Sequence, residues 1–263
     1  MELHVSSLAI YPVKGLRGID LTAAIVQRQG LEHDRRWAVL RPDGVVLTQR
    51  DLPGMARIDA VPEGDGLRLE CAGHGGVSAR AGDEAVTAIV WRNPVATVAA
   101  VGEASAWLGR VLGTPCRLVF LADPTARPVT PDLARPGDTV SLADGFPLLV
   151  TTTGSLAALN KELGSAVPME RFRPNLVVDG AAAWAEDGWP HVTAGPVRLR
   201  LASGCARCKV VTLDQRSGET PVRMEPLRTL GRIRRDADGH INFGWNAVPE
   251  TLGAVRVGDA VSV

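Results

Sequence analysis

RWAVLRPDGVVLTQR, residues 36–50, reads as strand, turn and strand. Two apolar, β-branched runs flank Pro42-Asp43-Gly44. There Pro presets φ, Asp bonds to nearby backbone, and Gly accepts a positive φ. The same grammar extends both ways along the chain. Upstream lie VSSLAIYPV (5–13) and AAIVQ (23–27). Downstream come 56–63, 67–71 and 85–91, then 173–180, 196–202, 209–214 and 254–263. Strands this short and this regularly punctuated predict a mostly β fold, barrel or sandwich, with a few helices. The helices are expected over 103–112, closed by Gly113, over 155–163, stopped at Gly164, and for a turn or two within 225–234. Residues 123–138 carry four prolines and predict a long surface loop. No internal repeat is visible. An N-terminal β-rich module is expected to meet a C-terminal β-barrel module near residues 95–115.

The 263 residues suit one large domain or two modest ones. At 45% hydrophobic and 22% charged, they can bury a full core without staples. Net charge is zero, which disfavours nucleic acid and anionic lipid as partners. MELHVSSLAIYPVKG lacks the basic head and apolar run of a signal peptide, and no stretch is apolar enough to span a membrane. The expectation is a cytoplasmic protein, and a monomer, since no heptad calls for assembly.

Four cysteines are present. Cys71 and Cys116 stand alone, while Cys205-Ala206-Arg207-Cys208 falls between two expected strands. In a reducing compartment such a pair indicates metal, cofactor or redox chemistry. Three readings stay open. Half of a zinc site would need Cys71, Cys116, His191 or His240 to complete it. A thioredoxin-like pair belongs at a helix start, whereas KVVTLD reads as a strand. The third is a single thiolate on a soft, redox-active metal, with Arg207 and Lys209 favouring the deprotonated sulfur.

Other motifs bear on that choice. In chain order they are Tyr11-Pro12-Val13-Lys14-Gly15, Asp34-Arg35-Arg36-Trp37, Thr48-Gln49-Arg50 and Arg171-Phe172-Arg173-Pro174-Asn175. Next come Trp184-Ala185-Glu186-Asp187-Gly188-Trp189 and the cysteine pair, then Phe243-Gly244 with Asn246, and Val257-Gly258-Asp259. Individually weak, together they resemble the MOSC family with its N-terminal MOSC β-barrel domain. That family includes the mitochondrial amidoxime-reducing component and bacterial relatives, and the likeness covers nearly the whole chain. It implies a C-terminal MOSC β-barrel (106–263) packed on an N-terminal β-rich domain (1–105).

The resemblance also implies the molybdenum cofactor, a molybdenum ion held by the dithiolene of a phosphorylated pyranopterin. Cys208 then corresponds to the cysteine that ligates the metal, with Cys205 a small buried thiol beside it. Lys14, Arg35 and Arg173 match cofactor-holding positions, and cations from distant segments suit a phosphate dianion. Asn175 and Asn246 offer the donors and acceptors a pterin edge needs. Arg36 and Arg50 are compatible with an electropositive pocket or with structural ion pairs. Trp37, Trp184 and Trp189 are expected to pack, Glu186 and Asp187 to orient nearby basic residues, and Asp259 to sit in a turn.

Three departures stand out: Gly15 where a Ser is usual, Gly145-Phe146 where a Thr-Ser pair is usual, and Ala206 between the cysteines. The implied activity is molybdenum-dependent reduction of small N-hydroxylated compounds. A related possibility is a cofactor carrier or sulfur relay without turnover. No ferredoxin-type cysteine run and no nucleotide fingerprint is present, so electrons are expected from a separate ferredoxin, cytochrome or flavoprotein reductase.

Overall fold

The first strand of the chain lies in a sheet built mainly from its second half. In the computed structural model, which describes residues 2–125, 127–129 and 133–263, β1 (His4–Ile10) is followed by β2 (Ile19–Leu21), β3 (Ala23–Gln27), β4 (Gly30–Leu31) and β5 (Trp37–Leu40). Then come β6 (Asp59–Glu63), β7 (Gly66–Cys71), the long β8 (Gly75–Val90), β9 (Asn93–Val101), α1 (Ala104–Leu112) and β10 (Arg117–Phe120). The second half holds β11 (Leu148–Thr152), α2 (Thr153–Glu162), β12 (Leu176–Asp179), β13 (His191–Ala194) and β14 (Val197–Ala206). It closes with α3 (Leu227–Ile233), β15 (Asn242–Pro249), β16 (Gly253–Arg256) and β17 (Val261–Ser262). The protein is mostly β, with three α-helices among the described residues.

An eight-stranded sheet runs β17-β13-β14-β15-β11-β12-β1-β2, a six-stranded sheet β5-β10-β9-β8-β7-β6, and a small third sheet β16-β3-β4. Alternation sets the faces: in β14, Val197, Leu199 and Leu201 are buried while Arg198 is exposed. They pack with Val5, Leu8, Val150 and Val178 in one core. A second core gathers Leu16, Trp37, Met55, Leu69, Trp107 and Leu118. β1 pairs antiparallel with β12, Leu8 opposite Leu176. Immediately beyond it the chain crosses to the other unit, where Val13 bridges Trp37. That crossing brings Lys14 beside the segment 173–175. The expected division at 105/106 falls within the first turn of α1, and β10 continues the six-stranded sheet beyond it by pairing with β5 and β9.

Gly113 caps α1 in the left-handed conformation, as its position predicts. Two expected strands do not form. In 45–50 only isolated bridges join Val45 to Ile89 and Val46 to Leu40. Asp51 then accepts from the Thr48 amide and hydroxyl, so side-chain bonding replaces the ladder. In 209–214 the chain makes a 3-10 turn, Lys209–Thr212. Adjacent Val211 and Thr212 are both buried, which no two-residue alternation allows. Helix α2 ends with Leu163 already extended, one residue before Gly164. The proline-rich loop is not wholly superficial. Residues 126 and 130–132 lie outside the described set, but Val129 packs against Val140 and Val248 in the interior.

Candidate functional site

A cleft opens where the two units meet, and every expected site residue lines it: Lys14, Gly15, Arg35, Arg173, Asn175, Asn246 and Cys208. They come from the crossing after β1, the turn before β5, the turn before β12, the middle of β15 and the loop after β14. The fold therefore unites residues more than 190 positions apart.

Arg35 is held on several sides. Its Nη1 donates to Asp34 Oδ2 at 2.6 Å and to Asn175 Oδ1 at 3.1 Å. Asp34 is fully buried and accepts from the Tyr11 amide. Asn175 also accepts from the Leu149 amide and donates to the Ala9 carbonyl. The Asn175 amide thus fixes Arg35 within the protein, a role the residue type alone does not reveal. Asn246 donates to Ser203 Oγ and the Gly204 carbonyl, and its oxygen accepts from no described residue.

Lys14 is buried and ion-paired with Asp144, whose carboxylate opens into the cleft. Burial pulls the Lys14 ammonium down from its ordinary value, while Asp144 opposes that shift. Burial pushes the Asp144 carboxyl up, but the Lys14 ammonium, the Trp91 hydrogen bond and the Arg50 charge together hold the group well below the usual carboxylate range. Arg173 has no carboxylate within 4.0 Å among the described residues and donates to Gln215 Oε1 at 2.9 Å. Burial brings its guanidinium down to about 10.

Each cysteine of the pair faces its own arginine. Arg50 Nη1 lies 3.5 Å from Cys208 Sγ, and Arg207 Nη1 lies 2.9 Å from Cys205 Sγ. Arg50 also stacks over Trp91, with Cζ 4.7 Å from the ring centroid. Arg207 donates to the Phe172 carbonyl, and its Nε is buried without a partner. Among the described residues the cleft lining contains five cations, Lys14, Arg35, Arg50, Arg173 and Arg207, and one carboxylate, that of Asp144. With Lys14 matched by Asp144 and Arg35 by Asp34, three guanidinium groups have no carboxylate partner among the described residues. Such a lining favours an oxyanion, and the adjacent thiols offer soft metal ligands.

Arg50 and Asp144 are site residues the sequence reading did not assign; Arg207, expected beside the metal-binding thiol, faces Cys205 instead, and Lys209 is exposed and outside the cleft lining. Arg50 had equal structural and pocket readings, and only the fold brings it from the N-terminal half onto Cys208. Arg36 lies outside the cleft lining and donates to the Leu121 and Ala122 carbonyls beside Phe120. The Gly15 departure has a local cause: its φ is +84°, and a Cβ there would lie 2.9 Å from Met55 Cε. Trp37 is core, and Trp184 meets Phe243 edge-on. Asp187 pairs with Arg234, and Asp259 accepts from the Arg256 amide in a turn. Cys71 is buried in the N-terminal core with Cys116 packed against it. Among the described residues the one grouping of three or more metal-capable side chains is Asp236, Asp238 and His240 on the surface, which includes neither thiol.

The donor set fits a thiolate-bound metal carrying a phosphorylated organic ligand: soft sulfur from Cys208 with Cys205 beside it, guanidinium groups without a carboxylate among the described residues, and a buried Arg207 Nε without a partner. Sequence comparison is consistent with this chemistry. Residues 2–115 match the MOSC N-terminal beta barrel domain and 137–262 the MOSC domain. The chain is 33% identical to human mitochondrial amidoxime-reducing component 1, over 98% of this chain and 82% of that protein. It is 29% identical to the molybdenum cofactor sulfurase of Oryza sativa subsp. japonica, over 92% of this chain and 32% of that one. Among solved structures, the YUAD protein from Bacillus subtilis aligns over 99% of this chain and 94% of its own, at 10% identity and a TM-score of 0.43.

Proposed function

The chain belongs to the MOSC family, and from that premise we propose that it is a molybdenum-cofactor-dependent reductase of N-hydroxylated compounds, served by a separate electron-transfer protein. The observation that carries the reading is the cleft itself. It sets the Cys208 thiol among cations drawn from both halves of the chain, Lys14 and Arg35 from one and Arg173 from the other. Human mitochondrial amidoxime-reducing component 1, at 33% identity, supports the reaction class.

Cys208 would ligate the molybdenum, and Arg173 and Arg35 would receive the phosphate of the pterin. When bound, the cofactor supplies the two-electron oxygen-atom chemistry that side chains cannot. The chain's own residues orient and screen. Arg50 donates toward the Cys208 sulfur, Asn175 and Asp34 hold Arg35 in place, and Asp144 opposes the effect of burial on the Lys14 ammonium. The electrons are assigned to a partner, a ferredoxin, cytochrome or flavoprotein reductase. No helix among the described residues is long and apolar enough to cross a membrane.

The test is the metal and pterin content of protein made in a cofactor-competent host, with turnover of an N-hydroxylated substrate by a reconstituted donor. Cys208→Ala should lose turnover and most of its molybdenum, whereas Cys205→Ala should keep both. Parent protein free of molybdenum and pterin would overturn the proposal. The second thiol in the cleft, with its own arginine, favours one other reading, a sulfur relay like the cofactor sulfurases. Persulfide sulfur on Cys208 without molybdenum would select it.

A further inference from the structure

Tyr11 is buried, with 4% of its surface exposed, and it touches both arginines assigned to the anion. The Arg35 Cζ lies 4.3 Å from its ring centroid and the Arg173 Cζ 4.1 Å. The same residue binds the two arginine-bearing segments through its polar atoms. Its amide donates to Asp34 Oδ1 at 2.8 Å, and its carbonyl accepts from the Arg35 amide at 2.8 Å. Its hydroxyl donates to the carbonyl of Pro174, the neighbour of Arg173, at 3.0 Å. The ring has room because position 18 is glycine: a Cβ there would lie 2.4 Å from Tyr11 Cε1.

Both arginines pay for their placement in backbone geometry. Arg35 and Arg173 have φ values of 46° and 55°, left-handed conformations that L side chains seldom adopt. Such residues persist where their surroundings over-determine them, and they concentrate at functional sites. Two like charges set against one ring also repel each other. An aromatic face attracts each of them through its quadrupole, and an anion between or beside them would relieve the repulsion.

We propose that Tyr11 is the positioning residue that presets Arg35 and Arg173, one from each half of the chain, as a single oxyanion receptor for the phosphate of the cofactor. The inference rests on the reading of these arginines as phosphate anchors and goes beyond it. It assigns their alignment to one aromatic ring, and it makes the ring rather than the hydroxyl the essential part. Tyr11 acts through the arginines and takes no part in the chemistry.

The experiment compares Tyr11→Phe, Tyr11→Leu, Tyr11→Met and Arg173→Ala, each expressed in a cofactor-competent host. Two quantities are read on folded, monodisperse protein: pterin per chain, and the concentration of inorganic phosphate that releases half of it. Tyr11→Phe should stay within about twofold of the parent, since the ring remains. Tyr11→Leu and Tyr11→Met should release pterin at about tenfold less phosphate, approaching Arg173→Ala. A variant with the parent's circular dichroism and melting temperature isolates the effect from folding, and Met, flexible and apolar, replaces Leu should Leu not fold. Parent-like release in Tyr11→Met with early release in Arg173→Ala would overturn the Tyr11 inference alone. Parent-like release in Arg173→Ala as well would overturn the anchor reading beneath it.

Discussion

Arg173 and Arg216 are both arginines of the C-terminal half, yet their surroundings make them different reagents. Arg173 is enclosed, faces the cleft and has no carboxylate partner among the described residues, whereas Arg216 is 77% exposed and pairs with Glu170. Exposed pairs contribute little and are screened by salt. Arg173→Ala should therefore cut pterin content several-fold while Arg216→Ala leaves it at the parent level, as measured by fluorescence of the oxidised pterin. Equal retention would remove the phosphate-anchor role.

Asp144 belongs to the same scale. Its folded value is depressed below 3.8, so the stability it contributes is complete above that pH and is lost as pH falls through the lower, folded value. Asp144→Asn should lower the melting temperature near neutrality, where buried Lys14 loses its counter-ion. The variant should then show a shallower loss of stability than the parent below about pH 4. Parallel melting curves across that range would show that the pair adds nothing. With 56% of the side chain open to the cleft, the effect is expected to be modest.

At the scale of elements, the start of α2 and the turn at 185–188 share one buried carboxylate. Thr152, the N-cap of α2, and Ser155 both donate to Glu186 Oε2, at 3.0 and 2.8 Å, while Oε1 is buried without a partner. Burial raises the Glu186 carboxyl above its usual 4.5. A raised carboxyl contributes its stability below the unfolded value and loses it as pH climbs through the folded one. Glu186→Gln should accordingly gain stability relative to the parent between about pH 4.5 and 7.5, read as a difference in melting temperature at those two values. A constant difference would show that Glu186 stays ionised throughout. The proline-rich loop is anchored in a related way. Arg127 is buried and donates to the carbonyls of Ser141, Ala143 and Asp144, so a loop that looks superficial in sequence holds the rim of the cleft.

These elements also show what a sequence pattern can and cannot convey. β3, β7 and α1 lie where their alternation or helical spacing places them, because each meets one continuous core face. KVVTLD looks like a strand because its residues favour strands, yet it becomes a 3-10 turn because Val211 joins Phe172, Leu230 and Phe243 in a small separate core. NPVATVAAV, the strand β9, passed unread although its partner β8 was partly legible. A strand is recognised by what it pairs with, and the sequence does not name the partner.

For the whole molecule, the first strand is the tie. β1 sits between β12 and β2, and its Val5, Leu8 and Ile10 are buried in the core of the eight-stranded sheet. The buried amide pair Gln49 and Gln215, hydrogen-bonded both ways at 3.1 and 3.0 Å, joins the two units again beside Arg173. The halves should therefore not melt apart. The parent should show one calorimetric transition, and deletion of residues 2–10 should destabilise the C-terminal sheet by more than about 5 kcal/mol. Two resolved transitions in the parent would contradict that coupling.

The residues alone carried the chemical kinds of this protein: a paired thiol, scattered arginines, strand-forming runs and the order of motifs that placed it in its family. Those properties are local, since side-chain type, spacing and turn preference do not depend on distant neighbours. Which charges are neutralised was settled by the folded chain. Asp34 answers Arg35, Asp144 answers Lys14, and Arg173, Arg50 and Arg207 are left facing the cleft. The reason is geometric: compensation of charge depends on distances of a few ångströms between residues remote in sequence, and those distances exist only once the chain beyond β1 has crossed from one sheet to the other.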